Sequence, residues 1–492
     1  MNYRLRHNVE LVERDGENFL MSKTPLCVLR LNRSLADLVE RGSDGKLISA
    51  SAAELGVMEQ LTTKGFAERV RSARERNVTV PEVSIVIPVM NRADELRRCL
   101  TSLTQLTYPR GKLQIIVVDD GSSDDSPLVA REFGAILIPS GGVGRGPAAA
   151  RNVGAAIAQG EILAFIDSDC SASRSWLCEL VPAFANPDMQ AVGGQVDGMC
   201  TKSAVDRYEA VMSSLSIGSR ELTGSGGTDT FYLPSCNLLV RRSAFRSAGG
   251  FKDSMHVGED VDLTWRLRDN GGTISYLPAG NILHEHRSSL RSFMSRRFDY
   301  GTSEGMLQIL HPARRKRMTL PPLLVLVLAL CLSAPFTAGL SLLLAGGVLT
   351  IDATVVRRRI SAQGLPITFS AILAGRLRAI GSLAYYVCYH LIRYYSTALV
   401  VISLIVPELW ILFGAILACS SGVDYAIKKP KLSFPVFAAI YLLEQLSYGA
   451  GVFWGCFNKN CFASYKVDIF KQTLDTLINH QSKDNVMLSR QS

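Results

Sequence analysis

At 492 residues the chain is too long for one ordinary domain, and two or three are expected. Hydrophobic residues make up 47% and charged ones 20%, which excludes a mainly disordered chain and leaves enough apolar material for large cores. The formal charge of +9 calls for anionic partners, but no nucleic-acid-binding motif accompanies it, so nucleic acid is not among those expected.

Met1-Asn-Tyr-Arg-Leu-Arg6 lacks the apolar core of a signal peptide, so a cytoplasmic body is expected. Residues 1–78 read as a small α+β domain. Leu26 to Leu31 alternates like a strand ending at Asn32, Ser34 to Glu40 has the pattern of a short helix ended by Gly42, and Ala52 to Thr62 is a second helix stopped at Lys64-Gly65. The layout resembles small winged-helix peptide-recognition proteins, which hold a precursor peptide by strand addition; a plain packing appendage is the alternative. Glu68 to Asn77 is charged and reads as a linker.

From Val83 to about Leu283 apolar runs alternate with helical patterns, which predicts an α/β domain over 79–312 with a mainly parallel sheet and helices on both faces. Ser84 to Pro88, Gln114 to Val118 and Ile162 to Ile166 have the continuous apolar character of buried parallel strands. Carboxylates follow two of them: Asp119-Asp120-Gly121-Ser122 and Asp167-Ser168-Asp169. Ligands of open α/β sheets sit beyond the carboxyl ends of the strands, where these side chains emerge. A hard divalent cation, Mn2+ or Mg2+, held by carboxylates and phosphates would neutralise a diphosphate leaving group, and Asp169 is the expected ligand. Helix capping is the bland alternative for such aspartates. Pro88, Asp119, Asp120 and Asp167 are candidates for the nucleotide part of a donor. Arg151, beside the Gly146-Pro147 turn into a helix, is expected to reach the same base or its diphosphate.

Gly141 to Gly146 has the wrong spacing for a dinucleotide fingerprint and reads as a flexible loop, while Leu222 to Thr230 reads as a mobile loop over the site. Asn237, after Ser235-Cys236, and Trp265 are candidate acceptor contacts, although packing inside its helix is a strong alternative for Trp265. Glu259 and Asp260 open a helical run; Asp260 is the expected general base and Glu259 its orienting partner, helix-dipole acids being the alternative. His284-Glu285-His286 closes the series, with His286 the expected second metal ligand or else a structural histidine. Arg296 and Arg297 read as clamps for a departing diphosphate, or as a solvated basic face. This order of parts, at strand ends, leads to the expectation of a glycosyltransferase.

Beyond Arg314-Arg-Lys-Arg317 the composition turns apolar, and 313–492 is expected to be a helical, membrane-associated or packing region. Residues 320–351 are long enough to span a bilayer once or to form a hairpin around Ala334-Pro335; basic clusters on both sides favour the hairpin or a re-entrant segment. Pro407-Glu408 interrupts the apolar run 396–419, and Glu444-Gln445 would be costly at a bilayer centre unless paired. Arg376, Arg378 and Arg393 among apolar residues suit an interfacial helix. Eleven cysteines, odd in number and scattered, are no disulfide framework and read as reduced core thiols.

Residues 83 to about 310 resemble family-2, GT-A-type glycosyltransferases, which implies an inverting, metal-dependent transfer from a UDP-activated or similar sugar. Arg296-Arg-Phe-Asp-Tyr-Gly301-Thr-Ser and Leu443-Glu-Gln-Leu-Ser-Tyr448-Gly-Ala-Gly-Val-Phe-Trp454-Gly resemble the mycofactocin-system members. That resemblance implies transfer of glucose from UDP-glucose to the tyrosine-derived phenol of premycofactocin, a peptide-derived acceptor, and growth of a β-1,4-glucan. Two places depart from that family's pattern: its acidic pair is Glu444-Gln445 here, and its aromatic cluster is Tyr394-Tyr395. The alternatives are a polyprenyl phosphate or surface-polysaccharide acceptor and, from another class, a non-catalytic peptide-delivery module.

Overall fold

The computed structural model describes residues 2–6, 9–14, 17–23, 26–42, 46–63, 65–70, 80–227, 229–314, 317–319, 321–362 and 368–470. The compact units do not follow chain order. Met1–Asn77, Arg317–Val387 and Asp468–Ser492 make up one, Val78–Lys316 and Cys388–Val467 the other.

In the first unit Val9–Arg14, Glu17–Lys23 and Leu26–Leu31 form an antiparallel meander. Asn32 then caps the helix Arg33–Glu40, its side-chain oxygen accepting from the Leu35 amide. A second sheet sets Asn2–Leu5 between Ile48–Ser49 and Ala67–Val70, over a core that includes Tyr3, Leu20, Val39 and Phe66. The start of the expected linker is therefore strand: residues 68–70 pair with the amino terminus, and 71–77 lie outside the described residues.

The apolar segment after residue 320 is a hairpin. Pro322–Leu332 and Leu340–Ala362 are joined by a short 3-10 turn and by Ala338 and Gly339, both at positive φ. Arg376, one of the arginines expected on an interfacial helix, is paired: its Nε and Nη2 lie 2.5 and 2.9 Å from the buried Asp352 carboxylate, which neutralises both charges on apolar helices.

The second unit is built on an eight-stranded sheet in the order Leu222–Ser225, Thr273–Tyr276, Met189–Gly193, Asn237–Arg241, Ile162–Ile166, Val83–Val89, Leu113–Asp119, Ile136–Pro139. The last four are parallel, whereas Asn237–Arg241 runs antiparallel to both neighbours. Alternation along the strands feeds two cores. Ile85 and Ile87 join Leu100, Trp176 and Leu177 on one face; Val86 joins Phe165, Leu263 and Leu267 on the other. A small second sheet pairs Ile282–His284 with Cys170–Ala172 and Val196–Gly198. The segment 222–230, expected to be a mobile loop, begins as an edge strand paired with Thr273–Tyr276, and its Asp229 is bound by Arg268.

The same unit takes in the end of the helix Phe369–Ile405, then Leu409–Lys428 and Phe434–Asn458; the break at 406–408 makes two helices of the apolar run 396–419. The Phe434 helix packs on Leu290–Leu310 backbone to backbone. A Cβ on Gly451 would strike the Phe298 carbonyl, one on Gly455 the Thr302 carbonyl, and one on Gly305 would lie 2.6 Å from the Gly455 oxygen. Only glycine permits that approach. Among the described residues four helices, Leu340–Arg358, Phe369–Ile405, Leu409–Lys428 and Phe434–Asn458, are long and apolar enough to cross a membrane.

Candidate active site

The site forms where the parallel strands end. Val83–Val89 runs into Asn91, at φ +52, and Arg92, whose Nη1 lies 2.9 Å from Asp169 Oδ2. After the neighbouring strand, Asp119 accepts the Ser122 amide at 3.0 Å. Asp120 is buried and fully engaged: Oδ1 accepts from the Ser140 hydroxyl and the Arg145 amide, Oδ2 from the Gly146 amide at 2.8 Å. Its carboxylate thus shapes the glycine loop, which is held rather than loose, and Gly146 at φ +92 leads into the helix Pro147–Ile157.

That helix delivers Arg151, 3% exposed, into the centre of the site. Its Nη2 lies 2.6 Å from Asp167 Oδ1 and its Nη1 2.9 Å from Glu259 Oε1. Desolvation pushes Asp167 up, but the Arg151 guanidinium outweighs it and holds the carboxyl below its ordinary value. Glu259 goes the other way: burial and the Asp260 charge push it up to about 7 despite Arg151. Asp260 is also raised, by burial, against hydrogen bonds from the Ser235 amide at 3.0 Å and the Val261 amide at 2.8 Å. The arrangement keeps one carboxylate ionised and makes its neighbours more basic, the separation that proton transfer uses.

The histidine edge lies beside Asp169. In the antiparallel register His284 stands opposite Cys170, which brings its Nε2 to 3.6 Å from Asp169 Oδ1. His286 lies 4.7 Å away ring to ring but turns its Nδ1 to Glu209 Oε2 at 3.3 Å. This moves the expected nitrogen ligand from His286 to His284. Burial, His284 and Arg297 lower His286 to about 3, while burial raises Glu209 to about 7 against the pull of Arg297. Their contact joins a neutral imidazole to a carboxyl group rather than forming a full ion pair.

Asp169, Cys170 and His284 bring one donor atom each within 4.8 Å of one another. The buried Cys170 thiol is pushed well above its ordinary value, chiefly by desolvation. The Asp169 carboxylate oxygen and the His284 imidazole nitrogen are a pair compatible with Mn2+ completed by phosphate oxygens. The Arg92 guanidinium holds the same carboxylate.

Residues 84–249 match the family model described as Glycosyl transferase family 2. The chain carries a family-2 glycosyltransferase domain. Pre-mycofactocin glycosyltransferase of Mycobacterium tuberculosis is 40% identical over 237 residues, 47% of this chain and 48% of its own. Glycosyltransferase AglE of Haloferax volcanii is 33% identical over 209 residues, 40% of this chain and 65% of its own. The chain thus spans about half the length of the mycobacterial relative that it matches. Among solved structures, the mannosyltransferase PcManGT from Pyrobaculum calidifontis, in complex with GDP-Man and Mn2+, aligns at 19% identity with a TM-score of 0.37, over 63% of this chain and 88% of its own.

Within the unit that holds the family-2 domain, the other candidates divide into those at the site and those in the interior. Pro88 sits at the strand end opposite Val118. Arg296 is exposed, stacks over Tyr300 at 5.0 Å and interacts electrostatically with Asp167 and Glu259. Arg297 turns away into a buried pairing with Glu209 and Glu444, so the two arginines do not clamp one group. Asn237 is buried; it accepts from Trp176 Nε1 at 2.8 Å and donates to the Gln195 and Gly280 carbonyls. Trp265 is 4% exposed, donates to the Phe231 carbonyl and stacks edge-on against His311. Neither offers a face to an acceptor.

Arg92 and Glu209 went unread in the sequence. Arg92 had a usable signal, an arginine three residues after a buried strand; Glu209, in mid-helix, had none.

The raised Glu259 has a consequence for pH. Its folded pKa, about 7, exceeds the ordinary 4.5, so its contribution to stability is complete below 4.5 and lost as pH rises through about 7. Melting temperatures of wild type and Glu259→Gln across that range should show the wild type losing stability relative to the variant; parallel curves would contradict the shift.

Proposed function

We propose that this protein is an inverting, metal-dependent glycosyltransferase that transfers glucose from UDP-glucose to the phenol of premycofactocin and extends a β-1,4-glucan. The observation that carries the reading is the convergence of Asp167, Asp169, Glu259 and Asp260 around Arg151 and Arg92 at the strand ends of a family-2 domain. The similarity to pre-mycofactocin glycosyltransferase supports the acceptor.

The acceptor hydroxyl oxygen bonds to the anomeric carbon from the face opposite the diphosphate, and its proton passes to Asp260. The bond from that carbon to the diphosphate oxygen breaks, and the nucleoside diphosphate leaves with the electron pair. Burial of Asp260 makes its carboxylate a stronger base than an exposed aspartate. Arg151 holds Asp167 and Glu259 in place, and Arg296 stands where it can meet the growing charge on the leaving group. A divalent cation held by Asp169 and His284 would supply Lewis-acid stabilisation of that diphosphate.

The catalytic unit is placed in the cytoplasm, where nucleotide sugars are made, with the apolar helices at a membrane. Exposed apolar side chains support the membrane part of that reading: Phe336, in the turn of the hairpin, is 90% exposed, and on the helices Ile411 is 80% and Leu343 74% exposed. The same surface favours, as a second reading, a lipid-linked acceptor such as a polyprenyl phosphate. For the amino-terminal domain we retain recognition of the peptide precursor.

Mass spectrometry of the protein incubated with UDP-glucose, Mn2+ and premycofactocin tests the reading. A ladder of hexose additions is expected, abolished by a chelator and restored by Mn2+. Full transfer in chelator would remove the metal from the mechanism; hydrolysis of UDP-glucose without transfer would move the acceptor to the lipid class.

A further inference from the structure

The Phe434 helix is one of the most apolar in the chain, yet it carries a carboxylate near its middle. Glu444 is 6% exposed. Its Oε2 accepts the Tyr208 hydroxyl at 2.5 Å, and its Oε1 lies 3.1 Å from Arg297 Nε. Arg297 is buried in turn, and its Nη2 lies 2.5 Å from Glu209 Oε1. The other oxygen of Glu209 faces His286, whose ring lies against His284, the histidine beside Asp169. A continuous buried chain therefore runs from an apolar carboxyl-terminal helix to the histidine edge of the candidate site.

A stability role alone would be served by any neutral, well-packed side chain, because a buried ion pair recovers little beyond its own desolvation. The geometry asks for more than that. Glu209 presents one oxygen to Arg297 and the other to His286, so the plane of its carboxylate follows the guanidinium. Arg297 has a carboxylate on each side, and Glu444 fixes the far one. Without the second carboxylate the guanidinium keeps only Ser214 Oγ, 3.2 Å from its Nη1, and the Phe293 and Tyr300 rings as other holds, so it can close on both oxygens of Glu209 and draw Oε2 away from His286.

We propose that Glu444 is a positioning residue for the reaction, acting through Arg297 and Glu209 to hold the His286 imidazole, and with it His284, in the orientation the site needs. This rests on the glycosyltransferase reading of the site. It also gives the Phe434 helix a part in activity and not only in anchoring.

The test is Glu444→Gln, which keeps shape and one acceptor oxygen while removing the charge, with Tyr208→Phe as the gentler variant. Two readouts are taken on the full chain: steady-state transfer, and nitrogen-15 imidazole spectra of histidine-labelled protein without metal or donor. Loss of an outer-sphere partner of this kind lowers activity by about ten-fold or more, and that fall is expected in kcat, with KM for the donor little changed. The His286 and His284 signals should move while those of His256 and His390 stay in place, and Tyr208→Phe should act in the same direction with smaller amplitude. A Glu444→Gln protein that melts lower but keeps its His286 signals and its kcat would overturn the proposal and leave Glu444 a structural residue. If Glu444→Gln does not fold, Tyr208→Phe with unmoved imidazole signals overturns it equally. Wild-type protein that transfers no sugar would refute the functional reading, while the imidazole spectra still decide the positioning chain.

Discussion

Asp260→Asn is expected to lower transfer by on the order of 10²- to 10⁴-fold, the contribution of a positioned general base. The amide has nearly the shape of the carboxylate and keeps an oxygen for the Ser235 or Val261 amide, so the helix start at Glu259 should survive. It lacks the charge to take the acceptor proton. Donor affinity should change little, since Asp167, Arg151 and Arg92 are untouched and Asp260 lies on the acceptor side of the reading. Removing one carboxylate also relieves Glu259, whose pKa is raised first by burial and then by the Asp260 charge. The measurement is single-turnover transfer beside titration of UDP binding. Unimpaired turnover would place the base elsewhere, whereas joint loss of turnover and UDP binding would mean that Asp260 belongs to the donor site.

Arg151→Leu should be the most damaging single change to stability in the family-2 domain. The guanidinium is 3% exposed and is shared by two carboxylates. Removing one partner of a buried ion pair costs about 3–5 kcal/mol, because the abandoned charge remains buried. For a unit of this size that corresponds to a fall in Tm on the order of 10 °C. Acid should partly rescue the variant, since protonation of Glu259 and Asp167 discharges the stranded groups. The deficit is therefore expected to be smaller at mildly acidic pH than at alkaline pH, read by thermal melts at both. An unchanged Tm would mean that water already solvates the pair.

The parallel half of the sheet was legible because Ile162–Ile166 and Val83–Val89 are apolar at nearly every position, as strands covered on both faces must be. The place of Asn237–Arg241 was not: its partners lie far away in sequence, and no local pattern says that it runs antiparallel between them. The same limit governed the side chains. Asp167, Arg151, Glu259 and Asp260 could be proposed together because they follow strands or open helices, and the fold brings such ends together. Asn237 and Trp265 were read as acceptor contacts because polarity and aromatic character look alike in sequence whether or not a backbone carbonyl has already satisfied them. His284 and His286 share one side of their segment as alternation requires, yet the register opposite Cys170 decides which of them meets Asp169. Glu444 stood out as a charge needing a partner, but nothing local named Arg297.

The glycine contacts between Leu290–Leu310 and Phe434–Asn458 bear on how this protein can be handled. A soluble fragment ending after the family-2 domain, the usual expedient for a transferase with apolar helices, would bare Gly301 and Gly305 and strand Arg297 and Tyr208 without Glu444. Water would enter where two backbones now touch. Any workable boundary must therefore retain the chain through about residue 467, where the unit holding the family-2 domain ends, and with it helices long and apolar enough to cross a membrane.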